Sequence, residues 1–217
     1  MRRRLRAVVL DFDGVIIESN DAKTEAFAAV FGRFPGLRDE MMAYHHAHVS
    51  ASRFDKFDRL LERLGRAGDA ALRADLAADF SRRTIERVAA VPYVPGAERF
   101  LEEFSSRVPL YLASVTPAED LDAILRKRDL ARWFRAVYGC PPWTKPDAVR
   151  DVIARERCVP DEVVLVGDSP GDQRAAAEAG VEFIGRRSGL AFAVPEPRAY
   201  DDLDAIGAVL SNRLAHA

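Results

Sequence analysis

The segment Ala7-Val8-Val9-Leu10-Asp11-Phe12-Asp13-Gly14-Val15 constrains the fold more than any other stretch of the chain. An apolar run ends abruptly in two carboxylates one residue apart, followed by a glycine. The run reads as a buried strand of a parallel sheet. The carboxylates then sit at its carboxyl end, where open α/β sheets place their ligands. Two aspartates held that close repel each other unless a cation or a proton lies between them. Two readings stand at this point: a metal-assisted acid/base or nucleophilic site, and an ordinary solvated strand end with an Asp turn.

The rest of the chain alternates in a way that favours the first. From Asn20 to about Ala90 the apolar residues recur at helical spacing and no strand is evident. Phe27, Val30 and Phe31 share one face, and Pro35-Gly36 breaks the pattern. A second helix is expected from Leu37 to about Ala47. A third carries Phe54, Phe57, Leu60, Leu61 and Leu64 inward, and a fourth opens at Gly68-Asp69. Val91-Pro92-Tyr93-Val94-Pro95-Gly96 reads as a linker. Helix and strand then alternate: strands at Leu110–Ala113, Ala136–Gly139, Val163–Val166 and Val181–Gly185, with helices between them and a last helix around Leu203 to Leu210. Ala175 to Ala179 lies in a helix stopped by Gly180. The expected fold is therefore α/β: a doubly wound, Rossmann-like parallel sheet core with an inserted all-helical domain. The boundaries fall at 1–18 and 92–217 for the core and 19–91 for the insert.

Composition narrows the partners. The 217 residues carry a formal net charge of −2, which makes no electrostatic case for nucleic acid. No apolar run is long enough to cross a membrane, and the basic start runs into Asp11 too soon for a signal peptide. Cys140 and Cys158 lack metal-ligand spacing and read as free thiols, so a cytoplasmic location is expected. Only four of the 32 basic residues are lysine: Lys23, Lys56, Lys127 and Lys145. In a chain that makes its surface cations from arginine, a lysine marks a place for a compact point charge.

Three expected strands end in polar residues: Asp11 and Asp13, Ser114, and Asp168 with Asp172. Lys145 opens a helix. In a parallel sheet these ends share one edge. Carboxylates suit a hard divalent cation, and a cation, an ammonium and a hydroxyl suit a phosphoryl group. An aspartate can attack phosphorus and carry the group covalently. In this order, Asp11-Phe12-Asp13-Gly14-Val15, Ser114, Lys145-Pro146 and Gly167-Asp168 with Asp172 resemble the four motifs of the haloacid dehalogenase superfamily, over essentially the whole chain. Within it the chain resembles the phosphoglycolate phosphatase and β-phosphoglucomutase-like branch. The insert resembles the helical cap that such proteins place after the first strand.

The resemblance implies roles. Asp11 is the nucleophile, and Asp13 the general acid and then the base. Ser114, with the Val115 N–H assisting, and Lys145 bind the phosphoryl group. Mg2+ is held by Asp11, the Asp13 backbone carbonyl and Asp168, and Asp172 orients that shell. Dehalogenase members lack an acid at the second aspartate, so Asp13 favours phosphate chemistry. The expected activity is a magnesium-dependent phosphatase acting through an aspartyl-phosphate on a small phosphorylated metabolite, in a monomer or homodimer. The alternatives are a phosphomutase, a phosphonoacetaldehyde hydrolase with a cap lysine, and a non-enzymatic binding protein. Glu18 departs from the aspartate common in relatives, and Ala-Ser-Val-Thr-Pro around Ser114 is an unusual second motif. In the cap, Arg53 and Lys56 are candidates for an anionic substrate. His45, His46 and His48 read as cap surface or substrate contacts, and Thr116 as a helix cap.

Overall fold

A computed structural model describes residues 3–195 and 198–215. It divides into two compact units, residues 1–18 with 92–217, and residues 19–91.

The first unit starts with β1 (Ala7–Leu10). The second holds α1 (Asn20–Phe31), α2 (Arg38–Ala47), α3 (Arg53–Arg63) and α4 (Ala70–Ala90). The chain then returns through α5 (Ala97–Ser105), β2 (Leu110–Ser114), α6 (Ala118–Lys127), β3 (Ala136–Gly139), α7 (Lys145–Glu156), β4 (Val163–Gly167), α8 (Pro170–Ala179), β5 (Glu182–Arg186), β6 (Ala199–Tyr200) and α9 (Leu203–Ala215). The strands form one sheet in the order β3-β2-β1-β4-β5-β6, and every neighbouring pair is parallel. The α/β expectation therefore holds.

Residue alternation explains the layering. Ala7, Val9, Tyr111, Ala113, Val163 and Leu165 join one core cluster with Ala148, Val149 and Val152 of α7 and Ala175 and Ala176 of α8. The intervening Val8, Leu10, Leu110, Leu112, Val164 and Val166 are buried as well. A sheet covered on both faces needs apolar residues at successive positions, so these strands read as continuous runs in the sequence.

Three expectations change. The helix that holds Ala175 to Ala179 extends back to Pro170, because Ser169 caps it and the Asp172 carboxylate accepts from the Ser169 N–H. The edge strand β6 pairs with β5 where no strand was expected. In α3 the buried stripe is Arg53, Lys56, Phe57, Leu60 and Leu61, with Phe54 only half-buried. That stripe keeps helical spacing but admits two cations.

The helical unit has its own core around Phe27, Phe31, Met41, Phe57, Leu60, Leu76 and Phe80. Lys56 and His45 are both buried in it, so His45 is no surface residue. The Lys56 ammonium lies 4.7 Å from the Phe27 ring centre and donates to His45 Nδ1 at 3.1 Å. That assigns the ring proton to Nε2, which lies 3.1 Å from Thr24 Oγ1. The Thr24 hydroxyl donates onward to the Asn20 carbonyl at 3.0 Å.

Burial, helped by the charge of Lys23 and opposed by Asp55, lowers Lys56 to about 7. Burial and then Lys56 and His46 lower His45 to about 3. Both groups bind fewer protons folded than unfolded, so each adds stability as pH rises through its window. For Lys56 that window runs from about 7 up to the ordinary 10.5, and for His45 from about 3 up to 6.5. Lys56→Met removes the first window. Its melting temperature is expected to exceed that of wild type by several degrees near pH 6, with the gap closing by about pH 10. A gap that does not change with pH would contradict a charged, buried Lys56.

Candidate active site

The ladder registers bring the strand ends to one line. Leu10 lies opposite both Leu112 and Val166. Asp11 therefore follows β1 at the level where Ser114 ends β2 and Asp168 follows β4. The Asp11 N–H continues the ladder to the Val166 carbonyl at 2.9 Å. Past Asp11 the chain folds back at once: the Phe12 carbonyl accepts from Ile16 N–H at 2.9 Å and from Ile17 N–H at 3.3 Å. Gly14 takes φ 71°, a left-handed conformation open to glycine at little cost. This turn keeps Asp13 beside Asp11 rather than across the sheet from it.

Asp11, Asp13, Ser114, Asp168 and Asp172 are all buried, none more than 8% exposed. Asp11 Oδ1 accepts from the Phe12 N–H at 2.7 Å and pairs with Lys145 Nζ at 2.9 Å. Both contacts fall on Oδ1, which leaves Oδ2 without a hydrogen bond among the described residues. Lys145 also donates to Asp172 Oδ1. The other oxygen of Asp172 accepts from the Ser169 N–H at 3.1 Å and the Ser169 hydroxyl at 2.6 Å. Asp172 is thus both part of a helix cap and the second anchor of Lys145. Thr144 caps α7, whose first residue is Lys145, so the lysine is delivered by a helix start.

On the other side of Asp11, Asp13 Oδ2 accepts from the Thr116 hydroxyl at 3.2 Å and the Ser114 hydroxyl at 3.4 Å. The Thr116 N–H in turn donates to Ser114 Oγ at 3.1 Å. Thr116 is therefore a site residue and not a helix cap; the cap position of α6 falls on Pro117. The signal was present in the sequence, since Ser114 and Thr116 are two apart at a strand end.

Two carboxylates, Asp11 and Asp172, pair with the one ammonium. Burial holds Asp11 well above the usual carboxylate range, and Asp172, Asp168 and Asp13 add to that, against the pull of Lys145. For Lys145, burial works against the charge but Asp11 and Asp172 outweigh it, so its pKa stands above the ordinary value. One oxygen each of Asp11, Asp168 and Asp172 lie within 4.8 Å of one another. A buried, all-oxygen, net-negative set fits a hard divalent cation such as Mg2+. The carboxylate trio includes Asp172, given only an orienting role from sequence; its hydrogen bonds to Lys145 and Ser169 suit that role.

Arg53 and Lys56 belong to the other unit. Arg53 is buried and donates to Ser81 Oγ at 2.7 Å, with its guanidinium 4.6 Å from the Phe80 ring centre. His46 and His48 are exposed. No helix among the described residues is long and apolar enough to cross a membrane.

Comparison with known proteins gives the family. The family model of the haloacid dehalogenase-like hydrolases matches residues 8–186. The chain is 26% identical over 190 residues to the phosphoglycolate phosphatase of Synechococcus elongatus, covering 82% of this chain and 81% of that one. It is 28% identical over 190 residues to the phosphorylated carbohydrates phosphatase of Thermotoga maritima, covering 83% and 84%. Among solved structures, YfnB from Bacillus subtilis, bound to magnesium, has a TM-score of 0.71 at 16% identity, covering 96% of this chain and 100% of that one. The chain belongs to the haloacid dehalogenase-like hydrolase family.

Proposed function

We propose that the protein is a magnesium-dependent phosphatase of a small phosphomonoester. The observation that carries this reading is Asp11: one oxygen is anchored by Phe12 and Lys145, and the other takes no hydrogen bond among the described residues. The latter oxygen attacks phosphorus. The bond to the ester oxygen breaks as Asp13 gives that oxygen a proton, and an aspartyl-phosphate remains. Asp13 then takes a proton from water, the water oxygen attacks phosphorus, and the Asp11 carboxylate is released with inorganic phosphate. The Ser114 hydroxyl, the Val115 N–H and Lys145 hold the phosphoryl oxygens, while Asp172 keeps Lys145 in line. Asp11, Asp168 and the Asp13 backbone carbonyl would hold Mg2+. When bound, that cation neutralises charge on the phosphoryl group. The two phosphatase relatives support the reaction class.

The test is phosphate release from a panel of phosphomonoesters. Chelation is expected to lower turnover about 100-fold or more, with recovery on adding magnesium. Sugar-phosphate isomerisation without net phosphate release would point to a mutase instead. Turnover indifferent to chelation would overturn the reading.

A further inference from the structure

Arg186 ends β5 and is 7% exposed, although no motif draws attention to it. Its Nη1 donates to Glu18 Oε2 at 2.9 Å and to the Gly14 carbonyl at 3.2 Å. Its Nη2 donates to Glu18 Oε1, and Nε reaches the Asp201 carbonyl at 3.3 Å. One guanidinium therefore joins the peptide that follows Gly14 to the last residue of the α/β unit before the helical insert.

The segment between those points is a closed strap. Gly14 N–H donates to the Ile17 carbonyl at 2.8 Å, and Asp13 and Ile17 are bridged. Glu18 N–H donates to the Pro92 carbonyl at 3.0 Å, and Ile17 is bridged to Tyr93. Its weak point is Gly14. A glycine at positive φ has no side chain to hold its conformation, and rotation there swings the Asp13 carboxylate away from Ser114 and Thr116. The carbonyl of that glycine is the one Arg186 grips. The bidentate contact to Glu18 needs arginine's planar fork, which lysine lacks. The charge pair is buried on the arginine side and half-exposed on the glutamate side, with side-chain exposures of 8% and 35%.

We infer that Arg186 is a positioning residue of the active site: by clamping the Gly14 carbonyl to Glu18 it holds the turn that sets Asp13. This rests on the phosphatase reading for its consequence in turnover, though not for the clamp itself.

The experiment compares wild type, Arg186→Gln, Arg186→Lys, Glu18→Gln and the Arg186→Gln/Glu18→Gln double variant. The measurements are kcat and KM for p-nitrophenyl phosphate with magnesium, melting temperature, and backbone hydrogen exchange of the full chain. Arg186→Gln is expected to lower kcat about tenfold with KM within about twofold, as for a group acting on the reacting geometry rather than on binding. Exchange in residues 12–18 is expected to speed up about tenfold while residues 163–167 stay protected. Arg186→Lys falls between, and the double variant is no worse than Arg186→Gln alone, since both remove one clamp. Unchanged exchange in residues 12–18 overturns the inference whatever the turnover. A lowered melting temperature with unchanged kcat also overturns it, leaving a merely structural pair. Wild type that hydrolyses no phosphomonoester defeats the phosphatase reading instead, and the exchange result still decides the clamp.

Discussion

Asp11→Asn is expected to abolish phosphate release, by a factor on the order of 10^4 or more, while raising the melting temperature of the chelator-treated protein. The loss follows from chemistry: an amide oxygen is a poor nucleophile for phosphorus. The substitution is isosteric, and the Asn carbonyl still accepts from the Phe12 N–H, so the turn persists. The gain follows from the charge count. Asp11 carries the repulsion of Asp172, Asp168 and Asp13 against the pull of one ammonium, Lys145. Burial and three carboxylates raise Asp11 far above the usual range, so its ionisation costs folding free energy at neutral pH in the absence of a cation. Its folded form holds the proton more tightly than its unfolded form, and stability falls as pH rises past the ordinary carboxylate range. Asn removes that cost. With saturating magnesium the order narrows or reverses, because a ligand that binds only the folded wild type stabilises it by mass action. Steady-state turnover and melting curves with and without chelator check both halves. Turnover within tenfold of wild type would remove Asp11 as the nucleophile.

Such opposition of stability and function is a reason the sequence could be read at this point and not elsewhere. Local rules do not place two aspartates at the end of a buried strand, so their presence there signals a task. The same holds for Lys145 at a helix start in an arginine-rich chain. Regular features were legible for the opposite reason, that every level agreed: the strands covered on both faces are apolar at successive positions, and Gly180 stops α8. What escaped depends on distant partners. Arg186 and Glu18 are 168 positions apart, and nothing beside Glu18 in the sequence points to Arg186 as its partner. Lys56 is buried because an imidazole and a phenyl ring meet it from other helices, which its own helix cannot reveal. The edge strand β6 is two residues long, too short for any periodicity. The start of α8 was legible in principle, since Ser169 and Asp172 have the spacing of a capping box. Asp172 both closes that capping box and pairs with Lys145.

Gly167 is where these two jobs leave no spare room. A Cβ built there would lie 2.2 Å from Asp172 Cβ and 2.5 Å from its Cγ. Real Cβ atoms do not approach so closely, so Gly167→Ala must displace either the end of β4 or the first turn of α8. Moving α8 pulls Asp172 from Lys145 and from Ser169. Lys145 is then left with Asp11 alone, and a buried carboxylate loses its hydrogen bonds. Overpacking and a broken buried pair together are expected to cost about 3–5 kcal/mol. Turnover is expected to fall about 100-fold or more even well below the melting point, because Lys145 no longer holds Asp11 Oδ1 in place. The double variant Gly167→Ala/Asp172→Gly separates the two effects. Removing the opposing Cβ relieves the clash, so stability should recover in part, but the carboxylate that anchors Lys145 is gone and turnover should stay low. Recovery of turnover along with stability would show that Asp172 acts only through packing. Equal losses of stability in the single and double variants would place the strain on β4 rather than on the contact with Asp172.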